Sequence, residues 1–278
     1  MKIESYIKAK LPLLRRRGIE NGVNEIRYIL METIKLSLGD KIFNKDFIIQ
    51  ERQIYELDKI LAERIKGKPL SKIFNKAFFR DVHLIVNKYT FSPRIDSEVL
   101  IDVIIDNDIK ADRILELGTG TGALSISLLK HFKSAYSIAT DISKEAIYIA
   151  KKNAILNNVY NRMQFICCDW LNGINHLNFD ILISNPPYIK RSDILNLDQE
   201  VRNHDPLKAL DGGHDGLTAY RNILDSIKNI KKKNLVILFE IGFNQAMDLK
   251  SMMSEIGLKD IKIFNDYCNV PRCILGTI

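Results

Sequence analysis

Apolar residues recur every three or four positions through the first quarter of the chain. Ile26, Ile29, Leu30 and Ile34, with Thr33, make one such stripe, and Ile54, Leu57, Ile60, Leu61 and Ile65 make another. That spacing predicts amphipathic helices. Gly18, Gly22 and Gly39-Asp40 are expected breaks, and Gly67-Lys68-Pro69 closes the last helix. Residues 1–82 therefore read as a small helical bundle. His83–Val86 and Tyr89–Phe91 then look like short strands turning at Asn87-Lys88, so 83–95 reads as a hairpin linker between two domains. Ser92-Pro93-Arg94 opens a helix that carries Val99, Leu100, Val103 and Ile104.

From residue 112 the pattern changes period. Short apolar strands are expected at Arg113–Leu117, Ala135–Thr140, Met163–Cys167, Phe179–Ser184 and Leu235–Glu240. Amphipathic helices fall between them at Ala123–Phe132, Lys144–Asn157 and Leu217–Ile230. Strands of this kind separated by helices imply a parallel sheet covered on both faces. The end differs. A helix near Gln245–Ile256 leads to strands at Ile261–Phe264 and Arg272–Ile278, too close in sequence to pair other than antiparallel. The expected fold of residues 96–278 is α/β: a mostly parallel seven-stranded Rossmann-like sheet with an antiparallel C-terminal hairpin, the layout of class I methyltransferases.

Composition narrows this little. The 278 residues are 46% hydrophobic and 27% charged, which excludes collagen-like and wholly disordered chains. No run of about 18 apolar residues exists to span a membrane. The N-terminus lacks the apolar stretch of a signal peptide, so a cytoplasmic location is expected. A formal charge of +7 favours polyanionic neighbours, although Lys is abundant throughout and no single face need be basic. Cys167, Cys168, Cys268 and Cys273 lack zinc spacing, and buried free thiols are expected.

Candidate chemistry begins where Ile114-Leu-Glu-Leu117 runs into Gly118-Thr-Gly-Thr-Gly122 and then a helix. Glycines let the main chain turn sharply and let a ligand approach it. The helix N-terminus offers free N–H groups. Gly118, Gly120 and Ala123 also satisfy the dinucleotide fingerprint, and Asp141 ends the second strand where a ribose would need a carboxylate. On these residues alone, S-adenosylmethionine and NAD stay level. No Gly-Lys-Ser/Thr follows, which argues against a nucleoside triphosphate.

Ser184-Asn185-Pro186-Pro187-Tyr188 separates them. It follows an apolar strand, at the carboxyl edge where ligands bind in such sheets. Two prolines fix φ twice and hold the carbonyls. The Asn185 oxygen and the Pro186 carbonyl are placed to accept both hydrogens of an amide or an aromatic amine. That would hold a weakly nucleophilic nitrogen with its lone pair towards an electrophilic methyl. Tyr188 would pack on the planar group or face the sulfonium.

Together these residues resemble the HemK/PrmC family of glutamine N5-methyltransferases of peptide chain release factors. The resemblance runs through Gly67-x-Pro69, Pro93-Arg94-x-Asp96-Ser97-Glu98, Leu115–Gly122, Asp141-Ile-Ser, Asp169-Trp170, Ser184–Ile189, Glu200-Val-Arg, the Ala209–Leu217 glycine run and Glu240-Ile-Gly242. It implies an N-terminal helical domain that helps dock the release factor, and a class I domain that methylates the glutamine of its Gly-Gly-Gln tip. It implies that Gly118, Thr119, Gly120, Thr121 and Gly122 line S-adenosylmethionine, which becomes S-adenosylhomocysteine. Asp141 would bind the ribose, and Asp169 and Trp170 would flank the adenine. Asn185, Pro186, Pro187 and Tyr188 would hold the glutamine, with Asn185 near the cofactor too. Glu116 is a secondary candidate for the methionine end. No metal, membrane or stable nucleic-acid partner is implied.

Two departures stand out. Ile95 replaces a usual proline, and Asp266-Tyr-Cys-Asn-Val-Pro-Arg272 lacks the usual Ala-Gly. Among the remaining residues, Arg94 and Glu98 read as a helix-start pair, Asp211–Gly216 as a glycine-rich surface loop, and His204 and His214 as solvated. The competing functions are N6-adenine methylation of RNA or DNA, which would need a base to be extruded, and a non-catalytic module docking on the translation machinery.

Overall fold

The computed structural model describes residues 1–35, 47–174, 178–228 and 234–278. Met1–Lys76 and Ala77–Ile278 are two compact units. The first holds α1 (Ile3–Arg15), α2 (Gly22–Ile34), α3 (Glu51–Ile65) and α4 (Leu70–Phe74). Their apolar stripes meet in a core of Ile3, Tyr6, Leu14, Ile26, Ile29, Leu30, Leu57 and Leu61. Gly18 breaks the chain after α1 with φ of 73°. Gly22 instead begins α2, where a Cβ would sit 2.9 Å from Leu11. Gly39-Asp40 lies outside the described residues. A nearly buried Arg64 donates to both oxygens of Glu25 at 2.7 and 3.0 Å, pinning α3 to α2.

Net charge is not spread along the chain. Residues 1–76 hold 17 Lys and Arg against 10 Asp and Glu, whereas residues 77–278 hold 24 of each. The first unit therefore carries the whole +7.

The expected hairpin is shifted towards the N-terminus. Its strands are β1 (Lys76–Phe79) and β2 (Val82–Ile85), turning at Arg80-Asp81 with Arg80 at φ 51°. Tyr89–Phe91 forms no strand because Asn87 closes a turn there. Its side chain accepts from Tyr89 N at 2.9 Å, and its carbonyl accepts from Thr90 N at 3.3 Å. The compact units accordingly divide between residues 76 and 77, ahead of the 83–95 segment expected to link them.

A short 3₁₀ turn over Ile95–Glu98 leads into α5 (Val99–Asp106). Then β3 (Arg113–Leu117), α6 (Ala123–His131), β4 (Tyr136–Asp141), α7 (Lys144–Leu156), β5 (Met163–Cys167) and β6 (Ile181–Ser184) alternate. After β6 come the short α8 (Gln199–His204), α9 (Thr218–Ile227), β7 (Val236–Glu240), α10 (Ala246–Glu255), β8 (Lys259–Asn265) and β9 (Pro271–Thr277). The seven strands order as β5-β4-β3-β6-β7-β9-β8, parallel except for β9, which pairs antiparallel with β7 and β8.

The pleat sorts the sheet's apolar residues between two cores. Ile114, Ile181, Ile183 and Leu238 pack with α5, α6 and α7. Leu115, Leu117, Leu182, Ile237 and Phe239 pack with α9 and α10. The free edge of β2 is closed by side chains of α7 and its C-cap. Asn153 and Asn157 each exchange hydrogen bonds with its main chain, at Ile85 and His83 respectively. An exposed edge that would invite foreign pairing is thereby satisfied.

Candidate active site

Sheet register builds the site. Leu117 lies opposite Thr140 on one side and Ser184 on the other, and Asp141 lies opposite Cys167. The chain therefore leaves β3, β4, β5 and β6 side by side. Gly118, Asp141, Asp169-Trp170 and Asn185 come together at the carboxyl edge. Ser184 donates its hydroxyl to the Leu117 carbonyl at 2.8 Å, tying the two central exits together.

The glycine loop takes left-handed backbone at Gly118, Gly120 and Gly122, with φ of 67°, 53° and 83°. A Cβ at Gly120 would meet nothing within 4 Å, so open space lies over the main chain there. Gly118 lies 3.5 Å (measured from its would-be Cβ) from the Trp170 ring. Gly122 faces the other way, against Ile126 and Ala150, and packs the helix rather than lining the opening.

Both Asp141 oxygens are fixed by main chain. Oδ2 accepts from Gly120 N and Oδ1 from Ser143 N, each at 2.9 Å. Burial raises its pKa. The helix cap falls to Ser143, whose Oγ accepts from Ala146 N at 3.1 Å. Buried Glu116 accepts from Thr119 Oγ1 at 2.7 Å and Ser125 N at 3.1 Å through Oε2. Burial lifts its pKa to about 7.

The Asn-Pro-Pro-Tyr corner is clamped from beneath. Gln245 Nε2 donates to the carbonyls of Tyr188 at 2.9 Å and Gly216 at 3.1 Å, while its Oε1 accepts from Gly242 N at 2.9 Å. Ile189 exchanges main-chain hydrogen bonds with the chain alongside: its N–H donates to the Leu210 carbonyl at 3.1 Å, and its carbonyl accepts from Gly212 N at 2.8 Å. The Asp211–Gly216 run is only partly the surface loop expected: His214 is exposed and its aspartates are half-buried, but its glycines turn inwards. Gly212, Gly213 and Gly216 are buried. A Cβ at Gly212 would lie 2.9 Å from the Pro187 carbonyl, and one at Gly216 would lie 2.5 Å from that of Tyr188. Those glycines let two stretches of main chain touch.

A polar cluster sits behind the corner. The Tyr188 hydroxyl donates to Glu240 Oε1 at 3.1 Å, and Asn185 Nδ2 donates to Ser97 Oγ at 3.2 Å. Burial raises Glu240 to about 7, opposed by the Ser97 hydroxyl, the Arg272 charge and Tyr188. Tyr188 is also raised by burial, then by the Glu240 charge, and so stays neutral. Arg272 is held by Asp266 at 2.9 Å and Asp96 at 3.6 Å. The loop lacking Ala-Gly is organised by Asp266, which also accepts from Cys268 N and Val270 N. Ile95, the other departure, is an exposed residue opening the 3₁₀ turn. Arg94 and Glu98 do not pair with each other: Arg94 binds buried Asp205 at 3.1 Å, and Glu98 accepts from Arg80 N at 2.7 Å.

The glycine loop, Asp141 and the Asn-Pro-Pro-Tyr corner open on one cavity of about 1020 Å³. Gly118, Thr119, Gly120, Thr121, Asp141, Asp169, Trp170, Asn185, Pro187 and Tyr188 line it, and so does Glu116. Pro186 belongs to the corner but not to the lining. Open space above a glycine backbone, a fixed carboxylate and an indole wall fit the adenosyl cofactor that the sequence implies. The functional neighbours missed from sequence are Ser97, Glu240, Gln245 and Arg272. Ser97 and Glu240 sit inside the quoted motifs, yet nothing in their spacing joins them to the corner. Among the described residues no acidic, His and Cys group could hold a metal. Of the four free thiols only Cys273 is buried, and of the two histidines expected to be solvated His214 is exposed while His204 is half-buried.

Comparison with known proteins agrees with this layout. A family model described as Methyltransferase small domain matches residues 91–204. A release factor glutamine methyltransferase of Agrobacterium fabrum is 34% identical over 98% of this chain and 97% of its own. One from Francisella tularensis is 31% identical over 90% of this chain and 88% of its own. A bifunctional methyltransferase of Rickettsia typhi is 35% identical over 94% of this chain, which spans about half (54%) of that longer protein. Among solved structures, the human Mettl16 catalytic domain bound to an RNA hairpin superposes with a TM-score of 0.56 over 82% of each chain. At 14% identity that likeness concerns the fold alone.

Proposed function

The chain belongs to the release factor glutamine methyltransferase family, and from that premise we propose that it methylates the side-chain amide nitrogen (N5) of the glutamine in the Gly-Gly-Gln motif of class I peptide chain release factors. The observation that carries this reading is the register of β3 and β6, which opens the glycine loop and the Asn-Pro-Pro-Tyr corner onto one cavity. When bound, S-adenosylmethionine supplies the electrophilic methyl carbon and leaves as S-adenosylhomocysteine. Gly118, Thr119, Gly120 and Thr121 lie along the cofactor, Asp141 accepts its ribose hydroxyls, and Trp170 walls its adenine.

The substrate carboxamide has two N–H donors and a delocalised lone pair. Because Asn185 Nδ2 is committed to Ser97, its Oδ1 is the atom that accepts one hydrogen; the Pro186 carbonyl accepts the other. The nitrogen is thereby positioned, and electron density shifts towards it. Neutral Tyr188, with its hydroxyl anchored on Glu240, offers its ring to the planar group. No strong base is required, since the methylated nitrogen is acidic and releases its proton readily. Pro187 stiffens the corner so that the two acceptors keep their spacing.

The basic N-terminal unit docks the release factor, and the work takes place in the cytoplasm. No helix among the described residues is long and apolar enough to cross a membrane. Mass spectrometry of a co-expressed release factor should find one added methyl on the Gly-Gly-Gln glutamine. Undiminished methylation after that glutamine is replaced would refute the assignment, and label that survives protease but not nuclease would transfer it to a nucleic-acid amine.

A further inference from the structure

We propose that Asp205 is a positioning residue: it latches an excursion of the chain, residues 191–210, to a second segment of the cavity wall and so sets the width of the channel that admits the residues beside the substrate glutamine. The proposal rests on the amide-methylation reading above. The excursion leaves the Asn-Pro-Pro-Tyr corner and returns to it. At its base Ile189 exchanges hydrogen bonds with Leu210 and Gly212, and Arg191 N donates to the Gly213 carbonyl at 2.8 Å. Between these ends lie two 3₁₀ turns, Arg191–Asn196 and Leu207–Ala209, on either side of α8. A loop whose ends meet in this way is held in shape by its own side chains. Here apolar packing is thin. Of residues 191–210 only Ile194, Asp205 and Leu210 are buried, while Leu195 and Leu207 are 74% and 60% exposed. One of the three buried side chains is thus a carboxylate, and its partners decide where the excursion rests.

Two of those partners stand on the stretch that precedes α5. Asp205 Oδ1 accepts from Ser92 N at 3.2 Å, and Oδ2 accepts from Arg94 Nη2 at 3.1 Å. Pro93 lies between them and has no N–H to offer. Arg94 in turn lies over the Phe91 ring, 5.2 Å from its centre, where a guanidinium is attracted to the ring face. One carboxylate thus holds the excursion, the Arg94 guanidinium and, through it, the Phe91 ring. Both segments line the cavity: Phe91 and Pro93 from the first, Leu197, Val201, Pro206 and Leu207 from the excursion. On the reading above, the cofactor takes the end at Gly118, Asp141 and Trp170, and the glutamine reaches the corner through this more apolar part. A glycine beside the glutamine brings no Cβ between the two segments. With the latch made, they stand too close for a side chain there; with it broken, they yield.

The test is Asp205→Asn in the full chain. It keeps the shape but leaves one acceptor for two donors, whichever way the amide turns. For a Gly-Gly-Gln peptide kcat/KM should fall about 10-fold, mostly through KM. The preference for that peptide over a Gly-Ala-Gln peptide should narrow by roughly threefold or more, since the added methyl now finds room. A residue that merely kept the protein folded would lower both peptides alike. S-adenosylmethionine affinity by calorimetry should stay within roughly threefold, because the glycine loop and Asp141 belong to other elements. Amide hydrogen exchange should quicken across 191–210 and hold steady in β3, β4, β5 and β6. Arg94→Lys leaves the buried carboxylate a charged partner, so it should shift the peptide preference and the exchange in the same direction by less; it carries the test if Asp205→Asn does not fold. Unchanged exchange across 191–210, or an unaltered peptide preference while KM rises, would overturn the proposal. If the wild-type protein binds S-adenosylmethionine but leaves the Gly-Gly-Gln peptide unmethylated, the amide-methylation reading falls instead, and the exchange pattern still tests the latch.

Discussion

Asp141 illustrates how one side chain serves two masters: its oxygens hold the glycine loop and the start of α7, and their remaining lone pairs face the cavity. Replacing it with asparagine keeps the shape but turns one acceptor into a donor. Asp141→Asn is expected to weaken S-adenosylmethionine binding by about 10- to 100-fold in calorimetry, as loss of a charge-assisted hydrogen bond of about 1.5–3 kcal/mol implies. Glu116 and Glu240 make a second residue-scale case. Burial lifts both to about 7, well above their unfolded value of 4.5. A carboxyl raised in this way contributes stability that is fully present below 4.5 and is lost as pH climbs through about 7. Thermal unfolding of the wild-type protein should therefore show stability falling between pH 5 and 7, by on the order of 2 kcal/mol per carboxyl. Glu116→Gln should remove its share of that slope; an unchanged slope would mean that Glu116 is not titrating in this range. Asp141 was legible from its place after a strand. The place of Glu240 behind the corner was not, because Tyr188, whose hydroxyl donates to it, lies far away in sequence and only folding brings the two within reach.

Among the elements, strands and helices follow the hydrophobic period closely, whereas turns do not. β3 was expected at Arg113–Leu117 and β5 at Met163–Cys167, and both stand there. The hairpin was misplaced because Arg80 carries a positive φ without being glycine, which no local signal announces, and Asn87 diverts the later segment into a turn. The edge of β2 is satisfied by asparagines from a helix some 70 residues onward. Asn153→Ala should cost about 1–3 kcal/mol in denaturant unfolding, since it leaves main-chain groups of half-buried Ile85 and buried Thr121 unpaired. The glycine run beneath the corner supports a sharper prediction. Gly216 has φ of 82°, and its would-be Cβ lies 2.5 Å from the Tyr188 carbonyl. Gly216→Ala must displace the corner, so kcat should fall by at least ~10-fold while cofactor affinity holds, because the glycine loop belongs to other elements. Equal loss of both would mean that the corner and the cofactor wall move as one.

At the scale of the molecule, charge separates the two units. The catalytic unit is neutral in formal count, and the helical unit carries +7. Lys8 and Arg15 share the solvent face of α1, with exposed Arg16 and Arg17 just beyond it. If this surface docks the release factor, the triple change Arg15→Glu, Arg16→Glu, Arg17→Glu should raise KM for the intact factor several-fold, more at low salt, and leave KM for a short Gly-Gly-Gln peptide unchanged. A parallel rise for the peptide would place the effect in the catalytic unit instead. The alternation of short apolar runs with amphipathic helices, the glycine-rich turn and the diproline corner determined the fold class and the cavity's main lining residues before any coordinates, because period and backbone restriction are local properties of the chain. Tertiary structure decided which way each group faces. It alone placed the two strand exits side by side, turned Gly122 into the helix packing, closed the glycine run against the corner and assembled the Ser97–Glu240–Tyr188 cluster. Those outcomes depend on contacts between residues far apart in sequence, and such contacts leave no periodic trace along the chain.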